Sequence, residues 1–427
     1  MITRDTCVAH DIADPLAPLR RQFDLQDADA RRMVYLDGNS LGVLPTVAAE
    51  RVRTVVEREW GRGLIRSWND AGWITLSQRI GNKIARLVGA GADELIVADS
   101  TSINLFKVLS AAAAIATERS SGRSRIVSER TSFPTDLYIA NAVAQVHGLE
   151  LTFADDDEVT RHLDERVAIL LLTHVHYRSG RIHAMREMST AAHDAGALVV
   201  WDLSHSVGAM SIQLAEDDAD FAVGCGYKYL NGGPGAPAFV WANATHIAWM
   251  DRERWQSPLP GWLGHSDPFG FIPDYQPAPG MLRFLCGTPP ILSLAALECG
   301  VDTVLEVERY GGLDALREKS IALTELFIEL VESRCAGHEL ALASPRPPLE
   351  RGSHVSFAHP TGGYGIVQAL IARGIIGDFR SPDILRFGFA PLYTRFVDVW
   401  DAVDQLAHVL DTGEWRDDRF SVRSLVT

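Results

Sequence analysis

Lys228 stands in GCGYKYLNGGPGAPAF, between an apolar, strand-like run and a glycine-rich turn, twenty-six residues after Asp202 at the end of ALVVWDLSH. Withdrawing an ammonium from water costs several kcal/mol, equivalent to a fall of about 3 to 5 pKa units in a fully buried lysine. A lysine in such a setting is a nucleophile toward carbonyl carbon, so the chemistry to expect is a Schiff base with a carbonyl cofactor. Tyr227 beside it is a candidate proton carrier.

Other groups share that setting if the chain forms an open α/β sheet, because ligands bind at the carboxyl ends of its strands. In ADSTSINLF, Ser100, Thr101 and Ser102 open a helix whose free N–H groups could hold a phosphate, although taken singly they are ordinary caps. In RTSFPTDLY, Phe133 could stack on an aromatic ring and Asp136 could reach a ring oxygen; alone this is a plain turn into a helix. In WDLSHSVG, Asp202 could pair with a protonated pyridine nitrogen and keep the ring an electron sink, with His205 close by. Lysine, strand-end aspartate and helix-start hydroxyls together form the arrangement that pyridoxal phosphate requires.

Metal chemistry is not expected. His174, His176, His183, His193 and His205 include no helical HExxH pair, and His174 and His176, read as sharing one face of a strand, have no carboxylate or cysteine at ligand spacing. There is no GxxxxGK[ST], and GCGYKY lacks the strand-to-helix setting of a dinucleotide fingerprint.

The elements that must position these groups follow from the apolar pattern. From about residue 93, short apolar runs alternate with helical stretches: ELIVADS, RIVSER, VAILLLTHVH and ALVVWDLSH each end at a turn, most of them opening a helix. DFAVGCGYKYL and APAFVWA read as two further strands flanking the lysine turn. This is the pattern of a mostly parallel sheet covered on both faces. PTVAAERVRTVVEREWGRG and SQRIGNKIARLVGA read as helices, residues 251 to 290 as a proline- and aromatic-rich loop, and PPILSLAALECG as a helix leading into a final α+β segment. The divisions expected are 1–60 (arm and helix, packing with the small domain), 61–290 (large cofactor-binding α/β domain) and 291–427 (linking helix and small α+β domain).

The composition fits. With 427 residues, 47% hydrophobic and 22% charged, the chain has material for a large core. A net charge of −15 argues against nucleic acid or an anionic membrane as the main partner. Five dispersed cysteines without a CxxC pair, no export-like N-terminus and no apolar run of membrane length point to a reduced, cytoplasmic chain.

A resemblance then becomes specific. The blocks YLDGNSLG, WITLSQRIGNKIARLVGA, TSINLF, SFPTD, WDLSHSVGA, GCGYKYLNGGPG, GWLGH and LRFGFAPLY, from Tyr35 to beyond Tyr393, resemble the kynureninase family in the class V branch of the fold type I pyridoxal-phosphate enzymes. The resemblance implies a large domain with a mostly parallel seven-stranded sheet, a smaller C-terminal α+β domain, and a homodimer whose sites are completed across the interface. It implies hydrolysis of L-kynurenine to anthranilate and L-alanine in tryptophan catabolism, with 3-hydroxykynurenine as a second candidate substrate.

Carried over residue by residue, Lys228 would bind pyridoxal phosphate as a Schiff base, Asp202 would pair with its ring nitrogen and Phe133 would stack on the ring. Asp136 and His205 would sit in its polar surroundings. Thr101, Tyr227, Trp262 and Thr288 would contact the phosphate, the last two through a loop of the partner subunit, with Ser100 and Ser102 as neighbours. Arg386 in ILRFGFAP matches the arginine that grips the substrate α-carboxylate, a bidentate task suited to a guanidinium fork, with Arg380 its competitor. Asn39, Ser40 and Trp68 fall in blocks on the substrate side, Trp68 against an aryl ring. Desulfurases and aminotransferases share this scaffold, but a desulfurase needs a reactive cysteine on a mobile loop late in the chain, and Cys335 in ESRCAGHEL reads as helical. An inactive binding protein on the same fold is the remaining alternative, opposed by the presence of Lys228, Asp202 and Arg386.

Overall fold

The runs VAILLLT, LVVWD and AFVWA are apolar at consecutive positions because both faces of the sheet they form are covered. Alternate residues enter different cores: Leu170, Leu172, Val199 and Trp201 pack on one side, and Ile169, Leu171, Leu198 and Val200 on the other. The computed structural model describes residues 2–120, 122–156 and 158–423.

The seven strands lie in the order Leu95–Ala98, Ala238–Ala242, Phe221–Gly224, Leu198–Asp202, Val167–Thr173, Arg125–Glu129, Glu150–Ala154. All are parallel except Ala238–Ala242, antiparallel to both neighbours. The expected sheet is therefore present, with one strand the pattern did not reveal. Glu150–Ala154 is an edge strand whose residues are mostly exposed or half-buried, so it carries no continuous apolar run.

The helix expected across residues 45 to 63 is only partly α-helical: Ala48–Thr54 passes into a π-helical stretch, Val55–Gly63. His174 and His176 lie beyond the strand they were expected to share, which ends at Thr173, in a loop tied back by a bridge between Val175 and Ile182.

A third core joins Cys7, Val34 and Leu36 of the N-terminal region to residues from Leu323 onward. Its sheet runs Asp378–Arg380, Ile384–Gly388, His354–Ala358, Ala341–Leu342, with antiparallel pairing throughout. The helix Gly312–Arg334 links the two regions, placing Leu316 in the first core and Phe327 in the third.

On the sheet, buried Asp220 takes the backbone N–H of Val199 at 2.7 Å and faces the Nε2 atoms of His193 at 2.8 Å and His246 at 2.6 Å. Burial pushes this carboxyl up, but the two imidazoles outweigh it and hold it below its ordinary value, while the Asp220 hydrogen bond raises His193. A raised histidine contributes stability that is complete below its unfolded pKa, about 6.5, and is lost as pH rises through the folded value. The melting temperature is therefore expected to fall between about pH 6 and pH 9 more steeply in the unmodified protein than in His193→Gln. Parallel curves would remove His193 as a contributor.

Candidate active site

Five strand ends of the large sheet converge on one cavity of about 140 Å³. Ser100, Thr101 and Ser102 follow Leu95–Ala98; Phe133, Thr135 and Asp136 follow Arg125–Glu129; Thr173 and Tyr177 close Val167–Thr173; Asp202, Ser204 and His205 close Leu198–Asp202; Tyr227 and Lys228 follow Phe221–Gly224. Thr135, Thr173, Tyr177 and Ser204 were not singled out from the sequence. Each adjoins a recognised block, and the signal that could have found them was position at a strand end.

Ser100 caps the nineteen-residue helix Thr101–Arg119, its Oγ accepting the N–H of Ile103 at 3.4 Å. The N-terminus of that helix opens on the cavity with three hydroxyls, an arrangement suited to a phosphate. Asp136 lies in the first turn of Pro134–His147 and is buried, its Oδ2 without a hydrogen-bond partner. Burial and, after it, the charge of Asp202 push its carboxyl well above the ordinary carboxylate value. Asp202 is fixed by the N–H of Ser204, which donates to its Oδ1 at 2.8 Å.

The Lys228 Nζ lies 2.8 Å from His205 Nε2 and 5.8 Å from the centre of the Tyr227 ring. Burial first, then the cation of Lys228, hold the His205 imidazole well below its ordinary pKa, so it is neutral at pH 7. The Tyr227 phenol is pushed up, chiefly by burial, and keeps its proton. The lysine turn is clamped by the DGNSLG segment: the Gly42 N–H donates to the Tyr227 carbonyl at 2.8 Å, and a Cβ on Gly42 would lie 2.3 Å from the Lys228 carbonyl oxygen. Close backbone approach explains the glycine there.

Arg386, on Ile384–Gly388, is 1% exposed. Its Nε donates to Asp378 Oδ1 at 2.8 Å, its Nη2 to Ser40 Oγ at 3.0 Å and to Asp378 Oδ2, and its Nη1 to the Tyr177 carbonyl at 2.6 Å. Tyr177 therefore connects the guanidinium to the cavity. Arg380 shares Asp378 at 2.6 Å but is more exposed, so both candidate arginines converge on one carboxylate that the sequence reading did not single out. Asp37, half-buried beside this cluster, has its carboxyl raised to about 7 by burial and by the Asp378 charge. Asn39 is buried with neither amide atom partnered, packed so closely on Gly388 that a Cβ there would meet its Oδ1 at 1.7 Å.

Trp68, Trp262 and Thr288 do not line this cavity. They form a separate concavity of about 870 Å³ with Ile65, Ile74, Phe269 and Phe271, where Trp68 and Trp262 pack edge to face at 5.7 Å.

A model of the kynureninase C-terminal domain matches residues 316–406. Over 430 aligned residues the chain is 51% identical to the kynureninase of Pseudomonas fluorescens, covering all of both chains. The chain belongs to the kynureninase family. Among solved structures, the apo cysteine desulfurase of Thermococcus onnurineus NA1 superposes with a TM-score of 0.76 at 20% identity, covering 92% of this chain and 98% of that one. A C-DES mutant with glycine covalently linked to its PLP cofactor superposes at 0.75, 18% identical, over 91% and 98%. The chain thus shares its fold with these enzymes. Among the described residues no group of three or more histidine, cysteine, aspartate or glutamate side chains is placed to hold a metal ion, and no helix is long and apolar enough to cross a membrane.

Proposed function

We propose that this chain hydrolyses the β,γ carbon–carbon bond of L-kynurenine to anthranilate and L-alanine with pyridoxal phosphate, and that 3-hydroxykynurenine is a second substrate to test. The observation that carries the reading is full-length identity of 51% to a kynureninase. The cavity fits the cofactor: a lysine amine, a carboxylate at a strand end, an acid with an orphaned oxygen and a helix N-terminus rich in hydroxyls face one space. Lys228 would hold its carbonyl carbon, Asp202 its ring nitrogen, Phe133 would stack on the ring with Asp136 and His205 in its polar surroundings, and Thr101, with Ser100 and Ser102, would hold its phosphate.

When bound, pyridoxal phosphate supplies an electron sink for the substrate carbons. Arg386 is the group for the substrate α-carboxylate: its Nε and Nη2 are committed to Asp378 and Ser40, and its Nη1, beside the Tyr177 carbonyl, has one hydrogen left for the substrate. Lys228, once free of its bond, is placed to take the α-proton, with His205 Nε2 orienting its amine. Tyr227 keeps a phenolic proton beside Lys228 and can give it to the substrate as water adds to the γ-carbonyl and the β–γ bond breaks. Tyr227→Phe is expected to lower kcat by about a hundredfold, the scale of general acid–base assistance, while cofactor remains bound. Unchanged turnover would remove Tyr227 from the reaction.

A desulfurase reading has poor support, because Cys335 is buried at the end of Gly312–Arg334 and its thiol is pushed up to about 12, chiefly by burial.

The working form is a cytoplasmic homodimer. Supporting the dimer is an exposed apolar surface around Ile65, Phe269 and Phe271, with Ile65 77% and Phe271 82% exposed. Patches of this kind mark interaction sites. It includes the concavity of Trp68, Trp262 and Thr288, so on a partner these residues would face the other subunit's cavity. Sedimentation is expected to give a dimer, and Ile65→Glu with Phe269→Glu a monomer that retains cofactor weakly. A monomeric unmodified protein with full activity would contradict the shared-site reading.

A further inference from the structure

His205 offers its Nε2 lone pair to Lys228 Nζ at 2.8 Å, and burial keeps its ring neutral. A neutral imidazole accepting at one nitrogen carries its proton on the other. His205 Nδ1 is therefore a donor, and it is buried with no partner among the described residues. A buried donor left unmatched costs about 1 to 3 kcal/mol, so the group facing it matters.

The ring in contact with His205 is that of His354, the first residue of His354–Ala358 in the small sheet, paired in register with Gly388. Its ring is fully buried, both of its nitrogens are unpartnered, and its centre lies 5.5 Å from that of His205. The ring is pinned against Gly180, where an added Cβ would lie 3.3 Å from Nε2; Gly180 has φ +76°, which favours glycine there. Two orphaned imidazoles at this spacing are suited to a single water bridging them, because such a water has polar partners on both sides. The charged and titratable groups around His354 are Arg386, Asp378, His176 and Lys228, and burial with the Arg386 charge holds it neutral despite Asp378.

We propose that His354 is a positioning residue for Lys228, acting through His205: a water held between His205 Nδ1 and a ring nitrogen of His354 fixes the tautomer that presents Nε2 to the lysine. This deepens the cofactor-lysine reading above and rests on it. It also joins the two halves of the site, because the strand that begins with His354 pairs with the strand carrying Arg386, Ser356 lying opposite it. Seating of the substrate carboxylate and the orientation of the lysine amine thereby share one rigid strand pair.

The test compares unmodified holoenzyme with His354→Phe, which keeps ring volume, and His354→Gln, which keeps a hydrogen-bonding tip. Histidine-selective NMR of the cofactor-free forms, in which the Lys228 amine is free, is expected to show His205 protonated on Nδ1 in the unmodified protein and in His354→Gln, and a mixture of tautomers in His354→Phe. In the same series kcat is expected to fall about tenfold in His354→Phe with little change in KM, to shift its pH profile, and to recover partly in His354→Gln. His205 protonated on Nε2 in the unmodified protein, or a His205 signal and pH profile untouched by His354→Phe, would overturn the proposal. Thermal melts separate a loss of folding: if His354→Phe is unfolded, the His354→Gln and unmodified spectra decide on the tautomer alone. Because the NMR arm needs no turnover, failure of kynurenine cleavage and failure of the His354 role give different results.

Discussion

Lys228→Ala is expected to abolish kynurenine cleavage, lowering kcat by about four to six orders of magnitude, the scale seen when the nucleophile of a covalent mechanism is removed. Among the described residues lining the cavity, Lys228 alone carries an amine able to form a Schiff base, and His205 Nε2 at 2.8 Å orients it. The visible absorbance of cofactor bound through lysine should disappear, while Asp202, the Ser100–Ser102 helix start and Phe133 still offer noncovalent contacts, so residual cofactor should wash out more readily. The fold should persist, because Lys228 is only half-buried and makes no ion pair among the described residues. A variant that kept both the lysine-bound band and turnover would remove Lys228 from the centre of the account.

Arg386→Lys is expected to cost about a hundredfold or more in kcat/KM, near 3 kcal/mol at 1.36 kcal/mol per tenfold. The charge is retained, so the loss isolates the fork: one ammonium cannot reproduce donation to Asp378, Ser40 and the Tyr177 carbonyl while also gripping a carboxylate. Arg386→Leu should be worse for a different reason. It leaves the buried Asp378 carboxylate with half-exposed Arg380 as its remaining cation, beside Asp37, and breaking a buried pair typically costs about 3 to 5 kcal/mol of stability, less where a second cation remains. Comparing melting temperature with kcat/KM across the two variants separates these effects. Arg386→Lys with unaltered KM and kcat would assign the substrate carboxylate to another cation, Arg380 being nearest.

The large domain was legible because its central strands are buried on both faces and must be apolar throughout. Glu150–Ala154 escaped because an edge strand has only one partner and a largely wet surface. The π-helical stretch Val55–Gly63 escaped because VVEREWGRG carries an apolar spacing close to that of an α-helix, and its changed hydrogen bonding leaves little trace in the sequence. In the site, residues adjoining a strand end were readable as a set, since one sheet edge gathers them whatever their separation in sequence.

His354 and Asp378 were not readable in that way. They reach the site from the antiparallel sheet of the small domain, and nothing in GSHVSF or GDFRSP states which large-domain loop that sheet will meet. Trp262 and Thr288 illustrate the opposite limit. Their blocks resemble the family, yet in a single chain they line a separate concavity with Trp68, so contact with a cofactor is part of the proposed dimer.

The most direct measurement of the central claim is incubation of the purified protein, loaded with pyridoxal phosphate, with L-kynurenine while anthranilate fluorescence and alanine are followed together. The account predicts both products in equal amounts, with formation lost in Lys228→Ala. A keto acid in place of alanine, or no anthranilate from a protein that holds its cofactor on Lys228, would contradict it.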